Sequence, residues 1–254
     1  MNSRFDLAGR TALVTGSSQG LGLTLARGLA EAGANVVLNA RSVDRLEVAA
    51  DTLRKDGVSV HTSAFDVTDS RQIGEAMTRL AERVPAIDIL VNNAGIHRRA
   101  ALEQMDESQW REVIDTNLTS AFLVTRALVP SMIARRRGKI VNVCSVMSEL
   151  GRASTGNYAA AKGGLKMLTR AMATEWAKHN IQVNGIGPGY FLTDLTRPLA
   201  DNPEFNRWIC ARTPAGRWGD PEELVGAAVF LTSSASNFVN GHVIYVDGGL
   251  LAAI

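Results

Sequence analysis

The chain has 254 residues, of which 46% are hydrophobic and 20% are charged. This composition supports a large buried core and excludes a wholly disordered chain. The formal net charge is only +2, which argues against a dedicated nucleic-acid binder, because such a protein concentrates basic residues on one face.

Cys144 and Cys210 are too few to form a disulfide framework, and no CxxC or Cys/His cluster indicates a metal site. The opening segment MNSRFDLAGR has no apolar signal core, and no run of about 18 uncharged apolar residues follows it. We therefore expect a cytoplasmic protein that contacts no membrane and binds no metal.

Short runs rich in β-branched residues alternate with longer helical patterns along nearly the whole chain. Between the runs lie stripes of period 3.6, such as Leu21, Leu25 and Leu29, which predict amphipathic helices. This alternation indicates a single α/β domain over residues 1–254, with a doubly wound parallel sheet of about seven strands and helices on both faces. The predicted strands are Ala12–Val14, Val36–Leu38, Val58–Phe65, Ile87–Val91, Ile140–Val143, Ile181–Ile186 and Val243–Val246.

Two segments depart from this rhythm. Residues 191–218 contain three prolines and no strand signal, so we interpret them as a helical substrate lid near the ligand-binding edge of the sheet. The densest basic run, Arg135–Arg137 with Lys139, falls where a helix should end, and we interpret it as a solvated C-terminal turn.

A glycine-rich turn over residues 15–22 follows the first strand with the spacing G-x-x-x-G-x-G. Such a turn lets the backbone approach a pyrophosphate, and the next helix presents free N–H groups at its N-terminus. The alternative is a purely structural turn.

The end of the second strand predicts which dinucleotide binds. An enzyme that prefers NAD places a carboxylate about here for the ribose 2′-hydroxyl, whereas this chain has Arg41, whose guanidinium suits a 2′-phosphate. NADP(H) is therefore the predicted cofactor. NAD(H) is the weaker alternative because Gln19 in the glycine turn adds no second positive charge, and Arg41 as a simple surface residue is the other possibility.

Polar and small residues also follow the third and fourth strands. Asp66 is placed to accept a hydrogen bond from an adenine amino group, while Asp69 is the better N-cap for the next helix. The run Asn92–Gly95 combines small residues, which let a ribose lie against the backbone, with asparagine amides that satisfy exposed backbone groups.

Tyr158 and Lys162 are spaced i, i+4, which places both side chains on one face of a helix. Ser145 follows the fifth strand, at the edge where ligands bind in such sheets. Asn117 lies within a predicted helix, where asparagine is intrinsically unfavourable. It is either a polar residue bonded to a neighbour or an anchor for a proton-relay water.

Together these motifs resemble the short-chain dehydrogenase/reductase family over residues 6–250. The resemblance implies a Rossmann-like domain, a nicotinamide cofactor and a catalytic tetrad of Asn117, Ser145, Tyr158 and Lys162. It also implies that Pro188, Gly189 and Thr193 contact the nicotinamide end. The full set of expected cofactor contacts is Gly16, Ser18, Gln19, Gly20, Leu21, Gly22, Arg41, Asp66, Val67, Asn93, Ala94, Gly95, Tyr158, Lys162, Pro188, Gly189 and Thr193.

The tetrad suits the reduction of a ketone, which needs a hydride on carbon and a proton on oxygen. Tyr158 is the expected general acid/base. A free phenol has a pKa of about 10, and we expect the Lys162 ammonium to lower it. Ser145 is expected to donate a hydrogen bond to the carbonyl oxygen as negative charge develops there.

Two segments beside the expected nicotinamide site indicate an anionic sugar as the small-molecule partner. Arg98 and Arg99 follow the fourth strand, and a guanidinium binds a carboxylate with two parallel hydrogen bonds. Rim charges, or residues that tie down the loop, are the alternative for both arginines. The expected substrate contacts, including two residues placed to bond sugar hydroxyls, are Arg98, Arg99, Ser145, Ser148, Glu149 and Tyr158.

Within the family, the segments 148–152, 187–190, 212–219 and 237–242 resemble the gluconate 5-dehydrogenases, which interconvert D-gluconate and 5-keto-D-gluconate with NADP(H). Similar segments occur in 2-dehydro-3-deoxy-D-gluconate 5-dehydrogenases, and another sugar or 3-oxoacyl reductase is a further alternative. A non-catalytic NADP-binding scaffold is the alternative outside enzymes, although a pure binder does not need Tyr158.

The resemblance also implies a homotetramer. The apolar tail, residues 249–254, is suited to burial between subunits, and a tail folded back on its own chain is the alternative.

Overall fold

Seven parallel strands form the centre of the protein in this computed structural model, which describes residues 4–194 and 196–253. Across the sheet their order is β3-β2-β1-β4-β5-β6-β7, and all neighbours are parallel. The predicted α/β class, with its doubly wound Rossmann-like sheet, is confirmed. The strands are β1 (Thr11–Val14), β2 (Asn35–Ala40), β3 (Val60–Ala64), β4 (Ile89–Asn92), β5 (Gly138–Val143), β6 (Ile181–Pro188) and β7 (Val243–Val246).

Helices cover both faces of this sheet. A π-helical turn, Asp115–Thr119, joins the fourth and fifth helices into one continuous segment. The helices are α1 (Gly20–Glu31), α2 (Val43–Lys55), α3 (Ser70–Ala81), α4 (Glu107–Ile114), α5 (Ser120–Arg135), α6 (Gly156–Trp176), α7 (Arg197–Ala200), α8 (Pro203–Arg212) and α9 (Val225–Thr232).

The two faces of β1 explain why Ala12, Leu13 and Val14 are all apolar. Ala12 and Val14 pack in one buried cluster with Leu25 of α1, whereas Leu13 packs in a second cluster with Met132 of α5. Because helices bury both faces of a parallel strand, both sets of side chains must be apolar. The sheet therefore separates two cores and fixes the positions of its strand ends.

The strand order reverses direction at β1. The chain proceeds outward through β2 and β3, then returns to β4 on the other side of β1. The connections leaving β1 and β4 therefore diverge, and they leave a crevice at the carboxyl ends of these two strands. This position is where the glycine turn and the Asn92–Gly95 run lie.

The continuous helical segment Glu107–Arg135 is long and apolar enough, by length and composition alone, to cross a membrane. In this fold it packs on the sheet, with Val124, Leu128 and Met132 in the second buried cluster. Packing against the sheet thus accounts for these three apolar residues.

The basic run at the end of α5 is not the solvated turn that we expected. Arg136 does end the helix in the left-handed conformation, with φ of 51°. Arg135 and Arg137, however, both pair with the buried carboxylate of Asp88. Lys139 lies within β5 and is itself buried, because the chain turns inward directly after the helix.

The C-terminal tail folds back on its own chain as far as Leu250, which is buried. The backbone N–H groups of Gly249 and Leu251 both donate to the carboxylate of Asp247. Ala252 and Ala253 are exposed, and Ile254 lies outside the described residues.

Candidate active site

A cleft of about 1360 Å³ lies at the carboxyl ends of the strands. All the predicted cofactor contacts line it, from the glycine turn and Arg41 to Pro188, Gly189 and Thr193. They converge because every one of them follows a parallel strand or opens the next helix. Leu195, within the predicted lid, lies outside the described residues.

Close packing explains two of the glycines in the turn. Gly16 has φ of +62°, and a Cβ there would lie 2.9 Å from the Cα of Ala94. At Gly22, a Cβ would lie 2.4 Å from the side-chain amide nitrogen of Asn93. Asn93 uses that amide to donate to the carbonyl oxygens of Thr15 and Gly16, so these hydrogen bonds join the turn to the end of β4.

The backbone N–H groups at the end of this turn, where α1 begins, are suited to bind a pyrophosphate. Helix α1 starts at Gly20, and its N-cap residue, Gln19, makes no side-chain capping hydrogen bond. The first-turn N–H groups therefore have no capping acceptor, and the positive end of the helix dipole points into the cleft. Such an arrangement binds phosphate groups well. A side chain added at Gly20 would meet no atom within 4 Å, which leaves space for a ligand.

Arg41 stands at the rim where a 2′-phosphate is expected. Its side chain is 79% exposed, and its nearest counter-ion is Asp66, at 3.8 Å. Arg45, which the sequence analysis did not consider, lines the same part of the cleft and adds a second positive charge.

Asp66 and Asp69 divide two roles between them. Asp69 caps α3 by accepting from the backbone N–H groups of Arg71 and Gln72. Asp66 accepts from the backbone N–H and the hydroxyl of Thr68 through Oδ1. Its other oxygen faces Arg41, and both Asp66 and Val67 line the cleft.

Three of the four tetrad residues meet on one wall of the cleft. Tyr158 and Lys162 lie one turn apart on α6, and the Lys162 Nζ is 5.6 Å from the centre of the Tyr158 ring. Ser145 follows β5 on the same wall, where its hydroxyl oxygen accepts from the backbone N–H of Met147 at 3.1 Å. The Lys162 ammonium donates to the carbonyl oxygen of Val143 at 2.6 Å, which ties α6 to the end of β5.

Asn117 is buried in the π-helical turn rather than on the cleft wall. Its side-chain amide donates to the carbonyl of Ile96 and accepts from the N–H of the same residue, both at 2.8 Å. The widened turn supplies the space for this contact. Asn117 thus fixes the loop that leaves β4 beside Tyr158.

The direction of the Tyr158 pKa differs from our expectation. Burial raises the pKa of the phenol, and the hydrogen bond with Ser145 opposes this with a smaller effect. Burial also lowers the pKa of Lys162 to about 8. Desolvation disfavours the charged form of each group, so the neutral phenol, which is the form needed to donate a proton, predominates at neutral pH.

Ser148 and Glu149 correct another expectation, because both lie outside the cleft. The Ser148 hydroxyl donates to the backbone carbonyl of Lys162 at 2.9 Å. Glu149 pairs with Lys166 of α6 and accepts from the hydroxyl of Tyr245 on β7 at 2.6 Å. Their polar groups hold the loop after β5 to its neighbours and do not face a substrate.

The two predicted substrate arginines differ in their partners. Arg98 makes two parallel 2.9 Å hydrogen bonds to Glu112, which fits the alternative in which it ties down the loop. Arg99 lines the cleft, and within residues 4–194 and 196–253 it has no hydrogen bond or ion pair. Only Arg99 therefore keeps its donors available to a ligand.

Sequence reasoning gave no role to three further residues of the cleft. The His97 ring stacks on the Tyr158 ring, with their centroids 4.6 Å apart and the planes at 11°. Burial and the charges of Arg99 and Arg152 lower the His97 pKa to about 4, so its imidazole is neutral. Arg152 and Tyr190 line the wall beside it. Each has partners far away in the chain, and no local pattern signals them.

The two ends of the predicted lid segment are paired with each other. Phe191 and Gly219 form a parallel bridge, and Leu192 donates a backbone hydrogen bond to Gly219 at 3.0 Å. Helices α7 and α8 lie between these ends, with Pro198 and Leu199 on the cleft side.

The sequence pattern of the short chain dehydrogenase family matches residues 10–204. The chain therefore belongs to this family.

Several relatives match over almost the whole chain. A 5-keto-D-gluconate 5-reductase of Escherichia coli (strain K12) is 49% identical over 254 residues, which is 100% of both chains. A 2-dehydro-3-deoxy-D-gluconate 5-dehydrogenase of Formosa agariphila is 53% identical over 252 residues, covering 98% of this chain and 96% of its own. A gluconate 5-dehydrogenase from Burkholderia cenocepacia, solved in complex with NADP and tartrate, is 51% identical with a TM-score of 0.96, covering 99% and 98% of the two chains.

Proposed function

We propose that this protein is an NADP-dependent oxidoreductase that interconverts D-gluconate and 5-keto-D-gluconate by hydride transfer at C5. The observation that carries this proposal is that one cleft is lined by the Tyr158 phenol, by the glycine turn and by Arg99, which forms no ion pair with the described residues. The E. coli and B. cenocepacia relatives, named for reactions of the same sugar acid, support the choice of substrate.

The cleft residues divide the chemistry of the proposed reduction. When bound, NADPH supplies the hydride that forms the new C–H bond. Tyr158 donates its phenolic proton to the ketone oxygen, and takes it back in the oxidative direction. Ser145 donates a hydrogen bond to that oxygen as its charge grows. Lys162 stabilises the phenolate that remains, and Asn117 holds the loop after β4 in place.

The same proposal assigns cofactor contacts to the predicted residues of the cleft. The glycine turn and the N-terminus of α1 would hold the pyrophosphate. Arg41, with Arg45 beside it, would hold the 2′-phosphate, and this charge favours NADP(H) over NAD(H). Asp66 and Val67 would contact the adenine, whereas Pro188, Gly189 and Thr193 would contact the nicotinamide end.

A second candidate reaction is the oxidation of 2-dehydro-3-deoxy-D-gluconate at C5. The F. agariphila relative of that name is 53% identical over nearly the whole chain. Both substrates are six-carbon sugar acids with the reacting carbon at the same distance from the carboxylate, so the same residues would serve either.

The wider assembly and location are also proposals. We infer a cytoplasmic homotetramer of single-domain subunits, each with residues 191–218 as a lid over its cleft. Exposed apolar side chains on the layer of α4, α5 and α6 support subunit contacts, since such surfaces are commonly covered in oligomers. These side chains are Trp110, Phe122 and Met167. Light scattering coupled to gel filtration tests the oligomeric state.

The decisive experiment measures NADPH oxidation with 5-keto-D-gluconate, with 3-deoxy analogues in parallel, for the parent and for Tyr158→Phe. The variant should lose activity by about 10²- to 10⁴-fold because the proton donor is absent. Its NADPH affinity, measured by fluorescence, should change much less than its activity. A parent that reduces none of the sugar acids, or a variant as active as the parent, contradicts the proposal.

A further inference from the structure

Arg152 is held in the cleft by three contacts that fix its orientation. Its guanidinium lies over the Phe205 ring at 5.2 Å and over the Tyr190 ring at 5.9 Å, and Nη1 donates to the Tyr190 hydroxyl at 3.1 Å. An arginine stacked on aromatic rings loses little further freedom when it binds a ligand.

The rings that hold Arg152 belong to a larger aromatic platform, defined by Tyr190, Phe205 and Trp218. The centroid distances are 5.6 Å for Tyr190–Trp218, 6.0 Å for Tyr190–Phe205 and 6.3 Å for Phe205–Trp218. Trp218 is buried, and its indole N–H donates to the side chain of Asn206 at 2.7 Å. The platform thus joins the end of β6 to helix α8 of the lid segment.

The charge of Arg152 has no counter-ion in the described part of the chain. Residues 4–194 and 196–253 place no carboxylate within 4.0 Å of Arg152 or of Arg99, although they pair the neighbouring Arg98 with Glu112. Burial lowers the pKa of Arg99. The second largest effect is the charge of Arg152, which lowers this pKa further because the two side chains lie close together. Arg152 is half-buried and Arg99 is exposed, and two neighbouring cations without a protein carboxylate attract an anionic ligand.

The neighbours of this pair indicate where such an anion would lie. The charges of Arg99 and Arg152 both lower the pKa of His97, and the His97 ring stacks directly on the Tyr158 ring. Because its imidazole is neutral, it adds no third positive charge to the two arginines. An anion bound by the arginines therefore lies one ring away from the phenol, so a single small molecule reaches both.

We propose that Arg152, oriented by the aromatic platform, is a specificity-determining residue that binds the carboxylate of the substrate and selects sugar acids over neutral sugars. This inference rests on the proposed function, because it assigns one end of the same substrate. Arg152 presents its free guanidinium edge to the carboxylate, while Tyr190 and Phe205 prevent the side chain from turning away.

The test compares Arg152→Gln with Arg207→Gln, since Arg207 is an exposed arginine of α8, the helix that carries Phe205, and does not line the cleft. Arg152→Gln should raise the KM for 5-keto-D-gluconate by about 10- to 100-fold, the range for losing charge-assisted hydrogen bonds, with kcat changed much less. The inhibition constant of tartrate should rise in parallel, and the dissociation constant of NADPH should not change. Arg207→Gln should leave all of these values unchanged.

Two milder variants keep the test informative if Arg152→Gln folds poorly. Arg152→Lys keeps the charge but not the planar fork, so KM should take an intermediate value. Tyr190→Phe removes only the hydroxyl that positions Arg152, and it should raise KM by a smaller factor than Arg152→Gln. An unchanged KM and an unchanged tartrate constant in both variants overturn the proposal.

The outcomes separate this inference from the proposed function. If the parent does not reduce 5-keto-D-gluconate but its NADP complex binds tartrate by calorimetry in an Arg152-dependent way, the reaction is wrong and the anion site stands. If the parent reduces the substrate and Arg152→Gln behaves as the parent does, the reaction stands and the anion site is wrong.

Discussion

The two edges of the sheet use the same residue types in opposite ways. At the carboxyl edge, Arg99 and Arg152 line the cleft without any carboxylate partner among the described residues. At the amino edge, Arg135 and Arg137 share one carboxylate, that of Asp88, which is only 3% exposed. A pair of arginines is thus structural at one edge and available to a ligand at the other.

At the amino edge, Arg135 and Arg137 donate their side-chain hydrogen bonds to acceptors within the protein. Asp88 Oδ1 accepts from Arg135 at 2.6 Å and from Arg137 at 2.8 and 3.0 Å. Arg135 also donates to the carbonyl of Ile87, which fixes the end of α5 against the start of β4. Arginines whose donors are used internally stabilise a fold, whereas arginines whose donors remain free weaken it slightly and bind anions.

The largest effect on the free energy of unfolding is expected from replacing Asp88, the carboxylate that Arg135 and Arg137 share at the amino edge. Asp88→Asn should lower the free energy of unfolding by about 3 kcal/mol, because two arginines then lack their counter-ion next to a buried site. Urea unfolding measures this loss. Asp51→Asn is the matched control, since its ion pair with Arg54 on α2 is exposed and contributes less than about 1 kcal/mol. Equal effects of the two substitutions would show that the Asp88 cluster is not structural.

Each edge also contains a buried lysine, and these two predict a pH dependence. Burial lowers the pKa of both Lys139 and Lys162 to about 8, below the value of about 10.4 in an unfolded chain. Between pH 8 and 10 the unfolded chain therefore binds more protons than the native one, and stability gains up to about 1.4 kcal/mol per pH unit from each lysine.

The variant Lys139→Met isolates the contribution of one lysine. This comparison is needed because burial raises the pKa of Cys144, which makes stability fall with rising pH over part of the same range. Relative to Lys139→Met, the parent should become progressively more stable from pH 8 to pH 10 in urea unfolding. A difference between parent and variant that is constant across this range contradicts a depressed Lys139 pKa.

A substitution at Arg41 tests whether an exposed arginine at the carboxyl edge binds the 2′-phosphate. Arg41→Ala should raise the KM for NADPH about tenfold, because one charge-assisted contact to the 2′-phosphate is lost. The KM for NADH, which lacks that phosphate, serves as the internal control and should stay the same. Equal losses with both cofactors would remove the 2′-phosphate assignment.

The smallest expected effects are on the free energy of unfolding, and they compare one arginine from each edge of the sheet. Arg99→Gln should change the free energy of unfolding by less than about 0.5 kcal/mol, because no internal hydrogen bond is lost. Arg137→Gln should lower it by about 1 kcal/mol, since its two hydrogen bonds to Asp88 are partly exposed to solvent. Thermal unfolding of the two variants side by side measures the difference, and the reverse order would contradict the division between the edges.

Features encoded by short contiguous patterns were predictable. The seven strands are all present, and in the five inner strands the apolar runs are buried because helices cover both faces of the sheet. The glycine turn and the Tyr158–Lys162 pair reach the cleft because strand ends and helix starts converge at one edge of a parallel sheet.

Features that depend on distant partners were not predictable. Ser148 and Glu149 follow Ser145 directly, yet contacts with α6 and Tyr245 turn them away from the cleft. Arg152 lies in a loop with no periodic pattern, and its partner Tyr190 is 38 residues away. The basic run after α5 appeared solvated because Asp88, its counter-ion, lies 47 residues earlier than Arg135.

The sequence by itself determined the fold class, the glycine turn and the pairing of Tyr158 with Lys162 on one helix face, because each depends on side chains close together along the chain. Only the tertiary structure decided which arginines keep their donors free and in which direction burial moves each pKa. Both properties depend on which distant groups approach a side chain and how much water they displace, and local spacing carries no record of either.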